Sequence, residues 1–255
     1  LAVRLSMASA GVWWLVFAYL FPQRRLVQRK PARSLPAGES YLSHSWKQLK
    51  TTLVEIRQKY PRTLQFLIAY LIYNDGIQTV IVVSTLFAAG ELGITTTTLV
   101  MVVLMIQFVA SLGAILFNLL AARVGAKRSI MFNLVIWVVL LVYTYGFLYT
   151  EVQFWILGAI LALILGGSQA LSRSLFSQMI PNNRESEYFS FYEISERGTS
   201  WIGPLVFGLA VQLTGTQRIA ILSLIAFFAT GLVLLYFTNV RRAITDAGNK
   251  LPQVV

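Results

Sequence analysis

Hydrophobic residues are concentrated in seven segments of the chain, and shorter polar stretches separate these segments. A helix needs ~20 mostly apolar residues to cross the hydrocarbon core of a bilayer. A spanning segment must also satisfy its own backbone hydrogen bonds, which favours helices over any open structure. The pattern therefore predicts an all-α membrane protein with seven transmembrane helices. The predicted spans are residues 5–21, 64–88, 98–122, 130–149, 152–172, 188–212 and 217–239.

The segment 188–212 is unusual because charged residues lie inside it. Its apolar part is too short to span a bilayer, so a spanning helix has to include Glu193, Glu196 and Arg197. A charge near the bilayer centre costs roughly 2.5–3.5 kcal/mol unless it faces protein, water or another charge. One interpretation is a structural ion pair between Glu193 and Arg197, four residues apart. A second is that Arg197 binds an anionic group such as a carboxylate while a glutamate titrates. A third is that these residues form an inner gate or cavity. Gly203–Pro204 predicts a kink further along.

The segment 64–88 carries a second polar face. Asn74 and Gln78 are four residues apart, and Asp75 lies beside them near the middle of the span. An ionisable residue inside a membrane indicates a substrate or proton pathway. The alternative is a structural hydrogen-bond network with a neighbouring helix. Gly76 would allow this helix to bend or unwind.

Two other spans add isolated polar positions. Gln107 in the third predicted span and Gln169 in the fifth are candidates for the same polar pathway. The fifth span also carries Gly158, Ala162 and Gly166 at four-residue steps. Small residues at this spacing allow two membrane helices to approach closely, so they predict a packing face rather than a binding face.

The polar stretch 22–62 holds ten Lys or Arg against two Glu. Its first half is typical of a flexible linker. Its second half predicts an amphipathic helix over residues 44–60, which ends before Pro61. This helix could lie on an anionic membrane surface, or it could pack under the helix bundle. Its predicted apolar stripe consists of Trp46, Leu49, Leu53, Ile56 and Tyr60.

Composition supports a membrane protein and excludes several other classes. The 255 residues are 56% hydrophobic and 12% charged, whereas soluble domains are usually ~25% charged. The chain has no Cys and one His, which argues against disulfides, a metal centre or a thiol nucleophile, and no G-x-S-x-G motif is present. We expect neither a cofactor nor enzyme activity.

The distribution of charge predicts the topology. Eighteen of the 21 Lys and Arg fall on one side of the predicted spans, and such residues accumulate on the cytoplasmic side. The N-terminus is then outside, and residues 241–255 form a cytoplasmic tail. This distribution accounts for the net charge of +11 without nucleic acid as a partner.

Three stretches carry a resemblance to a known family. The loop after the third predicted span resembles the loop motif G-x-L-a-D-r-x-G-r-k of the major facilitator superfamily. The stretches AYLIYNDGIQTV and YFSFYEISERGTSWIGPLVFG resemble its vacuolar effluxer-like (autophagy-related permease) branch. In the loop, Leu120, Ala121, Arg123, Gly125 and Lys127 match the motif, while Asn118 replaces its first Gly and Ala122 its Asp.

This resemblance implies an architecture and a function. Residues 1–21 would be the sixth of twelve helices, 22–62 the central cytoplasmic linker, and 63–240 the C-terminal six-helix bundle. An N-terminal half of the same transporter would be missing. We expect a secondary active transporter that moves a small polar solute such as an amino acid across a membrane by proton-coupled alternating access. Its surroundings would be the lipid bilayer of a bacterial inner membrane or a vacuolar-type membrane. Two alternatives are a seven-helix receptor-like protein and a non-transporting membrane scaffold.

Overall fold

The computed structural model describes residues 2–26 and 40–254. All regular secondary structure in these residues is helical. The all-α prediction is therefore confirmed for this part. Six helices in it are long and apolar enough to cross a membrane. The flexible linker predicted for the first half of 22–62 lies mostly outside the described residues. The chain forms two compact units, Leu1–Lys47 and Gln48–Val255.

The first unit contains α1 (Ala2–Leu20) and the short α2 (Pro22–Arg25). Together they provide a candidate span, Arg4–Arg25. The large apolar side chains of α1, including Trp13 and Trp14, are exposed. A helix that is apolar and exposed in this way is suited to lipid contact. The next helix, α3 (Tyr41–Lys59), begins in the first unit and continues into the second.

The second unit is a bundle whose long helices agree with the predicted spans to within a few residues at most ends. Two departures are notable: the helix predicted to begin at 130 begins four residues earlier, and the one predicted to end at 172 continues to Gln178. The helices are α4 (Pro61–Glu91), α5 (Thr96–Val124), α6 (Ala126–Phe147), α7 (Glu151–Gln178), α8 (Glu185–Arg197), α9 (Ile202–Thr214), α10 (Gln217–Ala220), a 3-10 turn (Ile221–Leu224), α11 (Ile225–Phe237) and α12 (Val240–Asp246).

Local sequence explains several helix ends. The Thr95 hydroxyl accepts a hydrogen bond from a backbone N–H in the first turn of α5. Thr150 and Gln153 form a reciprocal capping box at the start of α7. Gly125 and Gly215 end α5 and α9 at φ of 93° and 73°, where an L side chain would be strained. Because Gly125 is the only residue between α5 and α6, the latter begins early.

The continuous helix predicted for 188–212 is wrong, because the chain breaks between α8 and α9 at residues 198–201. Proline at 204 has no N–H to bond the carbonyl of Ser200, and its ring would collide with that carbonyl inside a helix. In the first turn of α9 it is tolerated. At the break, the Ser200 hydroxyl donates a hydrogen bond to the carbonyl of Glu196, 2.9 Å away. The predicted kink at Gly203–Pro204 is thus a full break a few residues earlier.

Small residues set the closest helix contacts, as predicted for α7. Gly166 lies against the backbone of Ala110, and Gly113 on the facing α5 lies against the backbone of Leu163. Gly158 contacts side chains of α5 instead. The prediction of a close-packing face is therefore confirmed, and its partner is α5.

The helix is not unwound at Gly76, since α4 is continuous through it. Gly76 instead lets α4 approach Phe227 and Phe228 of α11. Among the candidate spans α4 is the most buried, whereas α5 is the least buried in the second unit. The polar helix α4 is thus central, and α5 presents a broad outer surface.

The predicted tail carries α12, which the sequence did not indicate. Val240, Ala243 and Ile244 are buried. Asn249 donates hydrogen bonds to the carbonyls of Gln178 and Ile180, 2.9 and 2.8 Å away. Residues 240–249 therefore close the end of the bundle at which α7 ends.

Candidate functional site

The polar face of α4 meets the break between α8 and α9. Asn74 and Asp75 are 1% and 2% exposed, while Gln78, one turn further on, is half-buried. Asn74 donates from Nδ2 to the carbonyl of Glu196 in the last turn of α8, at 3.3 Å. The two polar segments that the sequence singled out, 70–78 and 193–197, therefore converge in space.

Asp75 is the ionisable group of this site that lacks hydrogen bonds, and Oδ1 of the adjacent Asn74 is also buried without a partner among the described residues. Neither carboxylate oxygen of Asp75 has a hydrogen-bond partner among the described residues. The backbone N–H of Gly203, in the first turn of α9, approaches this carboxylate without completing a hydrogen bond. A buried acceptor that lacks a donor costs about 1–3 kcal/mol, more when it is charged. Such a cost in a membrane helix indicates a functional group.

Close packing holds the break against α4. A Cβ atom at Gly203 would lie 1.9 Å from the hydroxyl oxygen of Thr79, so only glycine fits there. Thr79 in turn donates to the backbone carbonyl of Asp75 at 2.7 Å. The start of α9 is therefore seated on the turn of α4 that carries the carboxylate.

The charged residues of α8 form a cluster that includes Arg173 of α7. Glu193 lies 3.4 Å from Arg173 and 3.5 Å from Arg197. The i, i+4 pair that was predicted is present, but the Arg197 side chain is 82% exposed. Ion pairs this exposed contribute about 0–1 kcal/mol. Two guanidinium groups thus share the carboxylate of Glu193, and these ion pairs contribute little to the stability of the fold.

The pairing of Arg173 with α8 was not predicted from the sequence. The Arg173 guanidinium lies over the rings of Phe189 and Tyr192, 5.3 and 6.0 Å from their centroids. Cation–π contacts of this kind orient the side chain. Nothing in the local pattern of α7 indicates this contact, because its partners are on another helix.

Aromatic rings connect the cluster to α4. Tyr70 stacks on Tyr192 with 4.2 Å between ring centroids, and Tyr192 stacks on Phe176 of α7. The hydroxyl groups of Tyr73 and Ser172 are 2.6 Å apart. These rings fix α8 against α4 and α7, next to the Asn74 contact.

A second buried polar network lies between α6 and α7 and is fully hydrogen-bonded. Ser168 donates to Oδ1 of Asn133 at 2.6 Å, and Trp137 donates to Ser168 at 3.2 Å. Asn133 also donates to the carbonyl of Ile164 at 2.8 Å. A satisfied network of this kind holds helices together. The contrast with Asp75 distinguishes the structural site from the functional candidate.

Gln107 and Gln169 do not belong to the buried site. Both side chains are exposed, on α5 and α7 respectively. An apolar cavity between α4, α6 and α7, lined by Phe87, Trp137 and Phe154 among others, has a volume of only about 30 Å³. It is too small for a solute, and its apolar lining offers a water molecule few hydrogen-bond partners.

Two of the loop-motif residues, Gly125 and Lys127, stabilise or form helix ends. Lys127 donates to the carbonyls of Tyr236 and Thr238, at 2.8 and 2.9 Å, where α11 ends. A cation is favourable at this position because the C-terminal carbonyls of a helix are partly negative. Gly125 is buried and turns the chain between α5 and α6, whereas Arg123 is exposed.

The second half of α3 packs on the start of α8 through an ionic contact. Glu55 and Arg184 are joined by a 2.7 Å hydrogen bond, and Arg184 also bonds Glu187. Gln48 donates to Glu187 at 2.9 Å, and Ile56 is fully buried. Of the two alternatives for the amphipathic helix, these contacts support packing under the bundle for residues 48–59. The buried face is rotated from the predicted stripe: Thr52 is buried, whereas Trp46 and Leu53 are exposed.

This contact predicts an acid-sensitive stability. The hydrogen bond from Arg184 holds the pKa of Glu55 below its usual 4.5. The contribution of this ion pair to the free energy of unfolding is therefore complete above pH 4.5, the usual pKa of Glu. It is lost as the pH falls through the lower pKa that Glu55 has in the folded protein. We expect Glu55→Gln to lower the free energy of unfolding at pH 7 by an amount on the order of 1 kcal/mol, and therefore to lower the melting temperature, with a smaller effect at pH 4. Thermal unfolding in detergent at the two pH values measures this.

The matched control is Lys59→Gln, which removes the other and more exposed partner of Glu55. We expect it to change the melting temperature little at either pH. An equal effect of Glu55→Gln at pH 7 and pH 4 would contradict the assignment.

Comparison with known proteins gives one family for the whole of this architecture. A model of the family described as "Vacuole effluxer Atg22 like" matches residues 1–248. The chain is 35% identical over 240 residues to "Uncharacterized MFS-type transporter YxiO" of Bacillus subtilis, an alignment that covers 92% of this chain and 54% of the relative.

Fungal proteins are also similar. "Autophagy-related protein 22" of Yarrowia lipolytica is 29% identical over 276 residues, covering 96% of this chain and 46% of the relative. "Autophagy-related protein 22-1" of Aspergillus niger is 29% identical over 266 residues, covering 96% and 43%. The chain spans about half the length of the curated relatives it matches.

Proposed function

Because the chain belongs to the Atg22-like vacuole effluxer family, we propose that it forms a helix bundle of a secondary active transporter that moves a small polar solute. The observation that carries this proposal is Asp75, a carboxylate that is buried in a membrane-length helix, has no hydrogen-bond partner among the described residues and faces a broken helix. The receptor-like alternative gains no support, since the names of the relatives describe transport.

In this proposal Asp75 exchanges a proton during transport, and Asn74 and Gln78 line the same pathway. Transporters of this class work by alternating access around a site near mid-bilayer. A proton taken up by Asp75 would relieve the cost of its missing donor. The site would then exchange between a protonated and a deprotonated state during the transport cycle.

The cluster of Arg173, Glu193 and Arg197 is proposed as the entrance or gate for the solute, with Glu196 beside it. Its two guanidinium groups suit a carboxylate, and its glutamates suit an ammonium group. An amino acid carries both groups. This supports a zwitterionic solute as the substrate.

A second bundle is proposed to complete the pathway. Gln107, Gln169 and Arg197 are exposed polar groups on membrane-associated helices of the described part, and lipid contact would be costly for them. A bundle equivalent to the part of the relatives that this chain does not cover would face them. Residues 1–21 would then be a helix of that bundle, 22–62 the cytoplasmic linker and 63–240 the C-terminal bundle. We place the C-terminus in the cytoplasm and the N-terminus outside, in a bacterial inner membrane or a vacuolar-type membrane.

A counterflow assay tests the proposal. The natural full-length polypeptide, reconstituted in vesicles preloaded with unlabelled amino acids, should accumulate the labelled substrate above protein-free vesicles. A proton ionophore should abolish accumulation that an imposed pH gradient drives. Correctly folded protein that moves no member of an amino acid, dipeptide and polyamine panel would contradict a transporter of small polar solutes.

A further inference from the structure

The two ends of the break between α8 and α9 meet chemically complementary groups on α4. The last turn of α8 presents carbonyl oxygens, and Asn74 donates an N–H to one of them, that of Glu196. The first turn of α9 presents N–H groups, and Asp75 places a carboxylate beside that of Gly203. Carbonyl ends of helices are partly negative and N–H ends partly positive. Adjacent residues of α4 therefore match both ends.

On the α8 side, this match replaces a hydrogen bond that the break removes. An uninterrupted helix would satisfy the carbonyls of α8 with the N–H groups of the next turn. At residues 198–201 that ladder is interrupted, and hydroxyl groups of Thr199 and Ser200 bond back to Ser195 and Glu196. Such back-bonding bends helices. The geometry of the break thus depends on contacts from α4 as well as on local bonds.

The first turn of α9 is packed closely against α4. Gly203 has no space for a Cβ atom against Thr79. By contrast, Gly208, further along α9, has open space where a Cβ atom would lie. The tight contact is confined to the first turn of α9.

We propose that Asn74 and Asp75 form a clamp on the broken helix, and that neutralisation of Asp75 releases the first turn of α9. The break is then the moving element through which the buried carboxylate acts. Its use in transport rests on the proposed function, but the clamp itself does not. Asp75 and Asn74 are in this respect positioning residues, each acting on one half of the broken helix.

Distance measurement between spin labels tests the clamp. Labels at Ser190→Cys on α8 and Leu209→Cys on α9 report the angle across the break, since both positions are exposed and this chain contains no cysteine. Any cysteine elsewhere in the full-length polypeptide is replaced by serine. We expect one narrow distance distribution in the otherwise unchanged protein. Asp75→Asn should add a second distance. The population at this distance should be well above the ~10% that is the upper end for an ordinary minor state.

Two further variants make the result decisive. Asn74→Ala removes the other half of the clamp and should also add the second population, so it tests the clamp even if Asp75→Asn does not fold. Ser84→Ala is the control on the same helix, because its hydroxyl bonds only to α4 itself, and it should leave the distribution unchanged. A single unchanged distance in both clamp variants would overturn the proposal.

The same proteins, measured for flux, separate this clamp from the proposed function. Lost flux with unchanged distances would refute the clamp and leave the transport role of Asp75 intact. Changed distances with normal flux would support the clamp and refute that transport role.

Discussion

Asp75→Asn is expected to reduce solute transport by the full-length protein to the background of protein-free vesicles, with unchanged membrane insertion. Asparagine has nearly the same size and polarity, so the packing of α4 should survive. It cannot take up or release a proton, and it carries no charge to face the N–H groups of α9. Counterflow in vesicles, together with the amount of protein recovered in the membrane, measures both parts of the prediction.

The chain offers a chemically identical control. Its only other aspartate, Asp246, lies on α12 and is paired with Arg62 at 3.2 Å near the surface. Asp246→Asn should retain transport, because it removes an exposed ion pair that contributes about 0–1 kcal/mol. Wild-type, pH-dependent transport by Asp75→Asn would show that the carboxylate is only a structural partner of α9.

Sequence alone located most of the fold because membrane thickness dictates helix length. The apolar run around Asp75 is long enough to span, and its polar residues stand out against an apolar background. The same length rule gave a wrong prediction at residues 188–212. There, length required a continuous helix, whereas Pro204 and the hydroxyl groups of Thr199 and Ser200 stop it. The local pattern contained this signal, and the predicted kink underestimated it.

Tertiary contacts account for the remaining differences. Asn133 is one polar residue in an apolar span, and only its contact with Ser168 shows that it belongs to a buried network. Arg173 could equally have faced water, and its position over Phe189 depends on α8. For Asp75 the sequence gives the residue type and the depth. The missing hydrogen-bond partner and the nearby helix break required the structure.

Gly166→Leu is expected to cause the largest loss of stability, because it lies where α5 and α7 are closest. A Cβ atom at this position would be 1.9 Å from the carbonyl oxygen of Ala110, which belongs to the backbone and cannot rotate away. The helices would have to separate, at a cost of at least about 1–3 kcal/mol. We expect a low yield of folded protein and a lower melting temperature, measured by size-exclusion chromatography after heating.

Other glycines of the bundle predict a graded series. Gly158→Leu meets only side-chain atoms of Val102 and Met105, at 3.1 and 3.4 Å, which can shift, so its effect should be smaller. Gly146→Leu in α6 has open space and should be tolerated, because leucine also favours a helix more than glycine does. Equal melting temperatures for the Gly166 and Gly146 variants would mean that α5 and α7 do not pack as described. The order Gly166, Gly158, Gly146 therefore tests the helix packing independently of any transport assay.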